Sequence, residues 1–136
     1  MYLVKTQHKD QVIDLIKSTG MFDGKKYPHT DVGFNKMHNT VIAYNGKYDL
    51  NLTIKFEHYY YNTSIREYLT DKSYISLELN SNQIFKKFSD LTLYDIKKVL
   101  KLAKKYIDFR EELSSFKLLD ADTIRYYKLH EIIEQW

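Results

Sequence analysis

The chain contains no cysteine, one proline and only four glycines in 136 residues, and each scarcity removes a class of protein. Without cysteine there is no disulfide framework, no thiolate metal centre and no cysteine nucleophile, which fits a reducing compartment. The few glycines form neither GxGxxG nor GxxxxGK, so the loops that cradle nucleotide phosphates are missing. No apolar run approaches the length that spans a bilayer, and Met1-Tyr2-Leu3-Val4-Lys5 turns polar too early for a signal peptide, so a cytoplasmic protein is expected. An excess of one charge is lacking too. With Lys and Arg at 21 and Asp and Glu at 18, the formal net charge is +3. That balance neither demands nor excludes a nucleic-acid partner, but it has the wrong sign for a protein that imitates nucleic acid.

What the chain has in quantity is tyrosine, 13 residues of it, beside many Lys, Asn and Ile. An AT-rich genome writes such a composition, which points to an AT-rich bacterium, virus or plasmid. Tyrosine is also the residue of protein interfaces and of base-stacking platforms, since it joins a rigid apolar body to a polar tip. The length suits a single domain over residues 1–136 with a core of its own.

The clearest local signal runs from Asn39 to Glu57. Thr40 to Tyr44 is a short apolar run, Asn45-Gly46 tolerates positive φ at both positions, and a strictly alternating strand follows. Tyr48, Leu50, Leu52, Ile54 and Phe56 share one face, and Lys47, Asp49, Asn51, Thr53, Lys55 and Glu57 the other. A hairpin with a type I′ turn, one face in the core and one in water, is expected. A first helix is expected over 9–17, with Val12, Ile13, Leu15 and Ile16 apolar and Gly20 at its left-handed end. Residues 21–38 lose their periodicity around Gly24, Pro28 and Gly33 and read as a long loop. Asn62 to Asp71 reads as a connection with a helical turn around Ile65 to Leu69, and Ser73 to Asn80 as a third strand. Residues 81–90 fit either a short helix or an edge strand.

Thr92 and Asp95 have the spacing of a capping box ahead of a helix whose Ile96, Val99, Leu100, Ala103, Tyr106 and Ile107 form one stripe. A last helix is expected over 124–135, with Tyr126, Leu129, Ile133 and Trp136 on one face. The architecture implied is a two-layer α+β domain: a helix, a three-stranded antiparallel sheet, then two C-terminal helices.

Three constellations could carry function. Lys97, Lys98, Lys101, Lys104 and Lys105 stand opposite the apolar stripe of their helix and suit either phosphate contacts or a solvated helix face softened by Asp108 and Glu112. Tyr59 and Tyr61 fall on the wet face of their strand near Lys55, where they either anchor a partner or pack across strands. The loop holds Lys25, Lys26, Tyr27 and His29, together with Asp31 and His38. His29, Asp31 and His38 are the residue types of a metal site or a general base, as in a metal-assisted nuclease, but their spacing fits no ligand pattern. No motif asks for a cofactor.

The element order is similar in outline to that of double-stranded RNA-binding domains, whose second helix opens on a Lys-Lys-x-Ala-Lys run. Here Leu93-Tyr94-Asp95-Ile96-Lys97-Lys98 stands in that place, without the alanines. Some small phage anti-CRISPR inhibitors are similar in the order of elements as well, and topology alone transfers no function. The sequence therefore leads to a non-enzymatic protein-interaction module, a small phage or mobile-element accessory factor that binds and inhibits or modulates a host protein. Its partner contacts are expected at Lys25, Lys26, Tyr27, His29, Tyr59 and Tyr61. The alternative is a nucleic-acid-binding module using the Lys97 to Lys105 face, and a homodimer is also compatible with the sequence.

Overall fold

The computed structural model describes residues 3–88 and 90–113. A single 3₁₀ turn at Thr6–His8 leads into α1 (Lys9–Ser18). Seven strands follow: β1 (Thr30–Asn35), β2 (Thr40–Asn45), β3 (Leu50–Lys55), β4 (His58–Asn62), β5 (Glu67–Asp71), β6 (Tyr74–Leu79) and β7 (Asn82–Phe88). The helix α2 (Leu93–Leu113) comes after them. Five strands form one antiparallel sheet in the order β1-β2-β3-β6-β7, and β4 and β5 form a separate two-stranded ribbon. Among the described residues the protein is thus mostly antiparallel sheet, with one helix before it and one after. This corrects the expected three-stranded sheet followed by two C-terminal helices. The likeness in element order to RNA-binding domains and anti-CRISPR inhibitors goes with it. The helix expected over 124–135 lies outside the described residues. No helix among those described is long and apolar enough to cross a membrane.

The extra strands come from segments whose sequence hides their pairing. β1 sits inside the expected loop, at a sheet edge, where Thr-Asp-Val-Gly-Phe-Asn is half-buried except at the exposed Asp31 and Asn35 and needs only one neighbour. β5 replaces the expected connection and helical turn, and β7 resolves residues 81–90 as an edge strand.

Three of the hairpin turns share one chemistry. Each has four loop residues after an asparagine at the strand end, and Asn35, Asn45 and Asn62 each accept a backbone N–H from the loop through Oδ1. In each loop the last residue takes a left-handed φ: Asn39 at 53°, Asp49 at 50° and Arg66 at 54°. The expected type I′ turn at Asn45-Gly46 is therefore corrected. Gly46 is needed for a different reason: it donates to the His29 carbonyl at 2.8 Å, and a Cβ there would lie 2.8 Å from that of His29. The two-residue turn with positive φ at both positions occurs instead at Asn80 (53°) and Ser81 (64°), between β6 and β7.

The core forms on one face of the large sheet. Val41, Ala43, Leu50, Leu52, Ile54, Phe56, Ile75, Leu77 and Leu79 are buried there with Val12 and Ile16 of α1 and the Ile96 to Ile107 stripe of α2. α1 lies against β1 and β2, and α2 against β6. The capping box forms as its spacing predicts: the Thr92 N–H donates to Asp95 Oδ2 at 2.8 Å, and the Asp95 N–H donates to Thr92 Oγ1 at 3.3 Å. Burial alone would raise the Asp95 carboxyl, but the Lys87 ammonium at 2.9 Å and the two Thr92 hydrogen bonds outweigh it and hold it below its ordinary value.

Candidate functional site

β3 and β4 form one leg of a single long hairpin, and β5 and β6 form the other. Lys55 pairs with Tyr74, and three residues further on in each leg His58 pairs with Asp71, so the register passes through the gap unchanged. At the gap the ladder is replaced by Asn39. Its carbonyl accepts the Phe56 N–H at 3.0 Å, and its buried side-chain amide donates to the Glu57 carbonyl at 3.0 Å and to Thr6 Oγ1 at 2.8 Å. Beyond that point the sheet ends and the ribbon continues alone.

Because side chains alternate, the ribbon has two unlike faces. His58, Tyr60, Asn62, Leu69 and Asp71 are half-buried, and Asp71 is tied to Lys55 at 3.1 Å. On the other face Tyr59, Tyr61 and Tyr68 are 69%, 48% and 80% exposed. Tyr61 and Tyr68 are directly paired, with ring centroids 5.0 Å apart. The Tyr59 hydroxyl donates to Glu57 Oε1 at 2.5 Å, and that hydrogen bond raises its pKa above the ordinary tyrosine value. The result is an aromatic face with one fixed hydroxyl and no covering element among the described residues. Tyr68 was missed from sequence because 62–71 read as a connection. The signal was present in Tyr68-Leu69-Thr70, a strand-favouring run four residues after Asn62-Thr63-Ser64.

The other expected contacts lie elsewhere. β3 runs from the β2–β3 turn to the ribbon, so the 21–29 segment, hydrogen-bonded to that turn, sits at the opposite end of the sheet from Tyr59 and Tyr61. Lys25, Lys26 and His29 are exposed there, whereas Tyr27 is only 4% exposed and belongs to the core. Its ring packs edge-on against Tyr48 at 5.8 Å, and its hydroxyl donates to Glu111 Oε1 at 2.5 Å. Arg110 donates to the Tyr106 hydroxyl at 2.9 Å, and Lys26 and Lys47 lie over the Tyr27 ring. Burial first, then the Glu111 hydrogen bond and charge, push the Tyr27 hydroxyl well above the ordinary tyrosine value. The same hydrogen bond is the largest influence on Glu111 and holds it below the ordinary carboxylate value. These residues clasp the end of α2 to the β2–β3 turn.

His29 precedes β1 and His38 follows it, so the length of that strand separates them, about 20 Å at the usual rise. Among the described residues no group of three or more His, Asp or Glu is placed to hold a metal ion. The lysine row is placed as its spacing implies: Lys97, Lys101, Lys104 and Lys105 are exposed and Lys98 is half-buried. Lys98 lies over the Tyr94 ring at 5.9 Å, and Lys104 contacts Asp108 at 3.4 Å.

Compared with family models, with curated proteins and with solved structures, the chain gives no match in any of the three. The functional argument rests on its own residues.

Proposed function

We propose that this chain is a non-catalytic protein-interaction module that grips a partner protein with the tyrosine face of the β4–β5 ribbon. The observation that carries the reading is the clustering of Tyr59, Tyr61 and Tyr68, all exposed, on one face of an element that projects beyond the main sheet. Contiguous exposed aromatic surface is costly to leave in water, and tyrosine is among the residues that dominate binding energy at interfaces. A small phage or mobile element as its source and a host protein as its target complete the reading, and the tyrosine-rich, AT-type composition is compatible with both. The alternative of nucleic-acid binding rests on the lysine row, where no acid interrupts the sequence from Ile96 to Ile107.

The test compares the wild type with the Tyr59→Ser, Tyr61→Ser, Tyr68→Ser triple variant in affinity capture from host lysate, with circular dichroism to confirm the fold. Loss of a specific captured protein with the fold intact supports the reading. Unchanged capture by the triple variant removes the ribbon as the contact surface. Tight binding to labelled DNA or RNA that weakens log-linearly with salt would favour the lysine row instead.

A further inference from the structure

We infer that a groove between α1 and the start of α2 is a second docking site, and that its occupant is an acidic amphipathic helix of a partner protein. The groove has a volume of about 560 Å³ and is lined chiefly by Leu3, Val4, Val12, Leu15 and Leu93, with Lys97 on its α2 wall. Its near end is fixed because the Val4 N–H donates to the Leu91 carbonyl at 2.8 Å and Leu3 bridges Thr92, which pins the N-terminal segment onto the start of α2. Leu3 and Leu93 remain exposed at the mouth, as does Tyr94 beside them. The apolar floor is therefore framed at one end and, among the described residues, open to solvent.

Charge complementarity selects the occupant. Leu93 and Lys97 line the groove, and Lys101 and Lys104 follow beyond it on the same face of α2 at spacings of four and three, so the face from Leu93 to Lys104 runs for about 16 Å and carries a basic stripe. That length matches α1 on the opposite wall, about 15 Å for its ten residues. It would seat about three turns of a helix with apolar residues at i, i+3 or i+4, and i+7. The α1 wall carries Asp14 and no lysine, so the carboxylates of the occupant belong on the α2 side alone. Asp108 and Glu112 close the basic stripe at its far end. A nucleic-acid backbone would use the lysines but leave the apolar floor unfilled, which is why a peptide is the better fit. The groove lies on the helical layer and shares no residue with the tyrosine ribbon, so the two surfaces are independently testable.

The test uses the full chain, labelled with ¹⁵N, and two designed 14-residue helical peptides. Both carry the same leucine stripe at i, i+4, i+7 and i+11, and one flank of that stripe is all Glu in one peptide and all Lys in the other. The Glu peptide is expected to bind at least tenfold more tightly, with chemical-shift changes centred on Leu3, Val4, Leu15, Leu93 and Lys97. Lys97→Glu with Lys101→Glu should weaken it at least tenfold, and Leu93→Glu should do the same without relying on the lysines. The ribbon triple variant should bind the Glu peptide as wild type does, which separates a failure here from a failure of the ribbon assignment. Equal affinity for the two peptides, no binding, or affinity indifferent to both groove variants would each overturn the inference. So would a labelled oligonucleotide or a second copy of the chain outcompeting the Glu peptide at the same residues, or crosslinks placing the chain's own 114–136 segment in the groove.

Discussion

From Leu50 to Lys55 the long hairpin sets Leu50, Leu52 and Ile54 in the core, and from His58 to Asn62 the same face of the same leg carries His58, Tyr60 and Asn62 only half-buried, with Tyr59 and Tyr61 exposed on the other face. The proximal half has β2 and β7 on its flanks and apolar residues from both helices in its core, whereas the distal half has only its own two strands. Alternation decides which residues share a face, but only the neighbours decide whether that face is covered. The tyrosines follow the same division. At one end of the sheet Tyr27, Tyr48 and Tyr106 are buried among Arg110, Glu111 and the lysines, and at the other end three tyrosines stand in water. One residue type acts as mortar in the first place and as contact surface in the second.

That contrast can be broken most sharply in the proximal half. Leu77→Ala deletes a fully buried side chain from the middle of the core and should cost about 2–5 kcal/mol in urea unfolding. Next in size, Tyr27→Phe removes the hydrogen bond to Glu111 and should cost about 1 kcal/mol, discounted for the partial exposure of Glu111. Its pH dependence has a definite sign on each side. The Glu111 carboxyl is depressed in the folded state, so its contribution is complete above the unfolded value of about 4.3 and is lost as pH falls through the folded one. The Tyr27 hydroxyl is raised, so its contribution is complete below the unfolded value of about 10 and is lost as pH rises toward the folded one. Denaturation of wild type and Tyr27→Phe between pH 3 and 11 should show a constant gap near neutrality that narrows at low pH. A gap that does not narrow there would detach the stabilisation from Glu111. The smallest effect belongs to the distal half, where Tyr68→Ser should change stability by no more than about 0.5 kcal/mol. A loss of 2 kcal/mol or more would mean that the ribbon face is structural after all.

How far the fold was legible follows the same line. The strict alternation from Tyr48 to Phe56 placed all five apolar side chains in the core, and the Thr92–Asp95 spacing gave the start of α2. β1 and β5 stayed hidden, and β7 fitted a short helix as well as an edge strand, because edge and ribbon strands bury little on either face and so leave weak periodicity. Asn45-Gly46 misled because the dipeptide that suits a two-residue turn also suits an asparagine-capped turn with a close backbone approach, and only the position of His29 decides between them. Of the candidate contacts, Tyr59 and Tyr61 proved exposed as their alternation implied. Tyr27 was placed on the surface by its loop-like surroundings, when it is buried against a side chain far away in sequence that no local pattern could reveal.

That distant contact also bears on the order in which the molecule can assemble. The β1–β2 pairing closes over a four-residue loop, whereas Tyr27 and Glu111 are 84 residues apart, and closing a loop of that size costs more chain entropy than any turn. During synthesis the hairpins have their partners in hand long before the end of α2 leaves the ribosome. The clasp is thus among the last of the described contacts to form, and the last turn of α2 is where native-state opening is expected to begin.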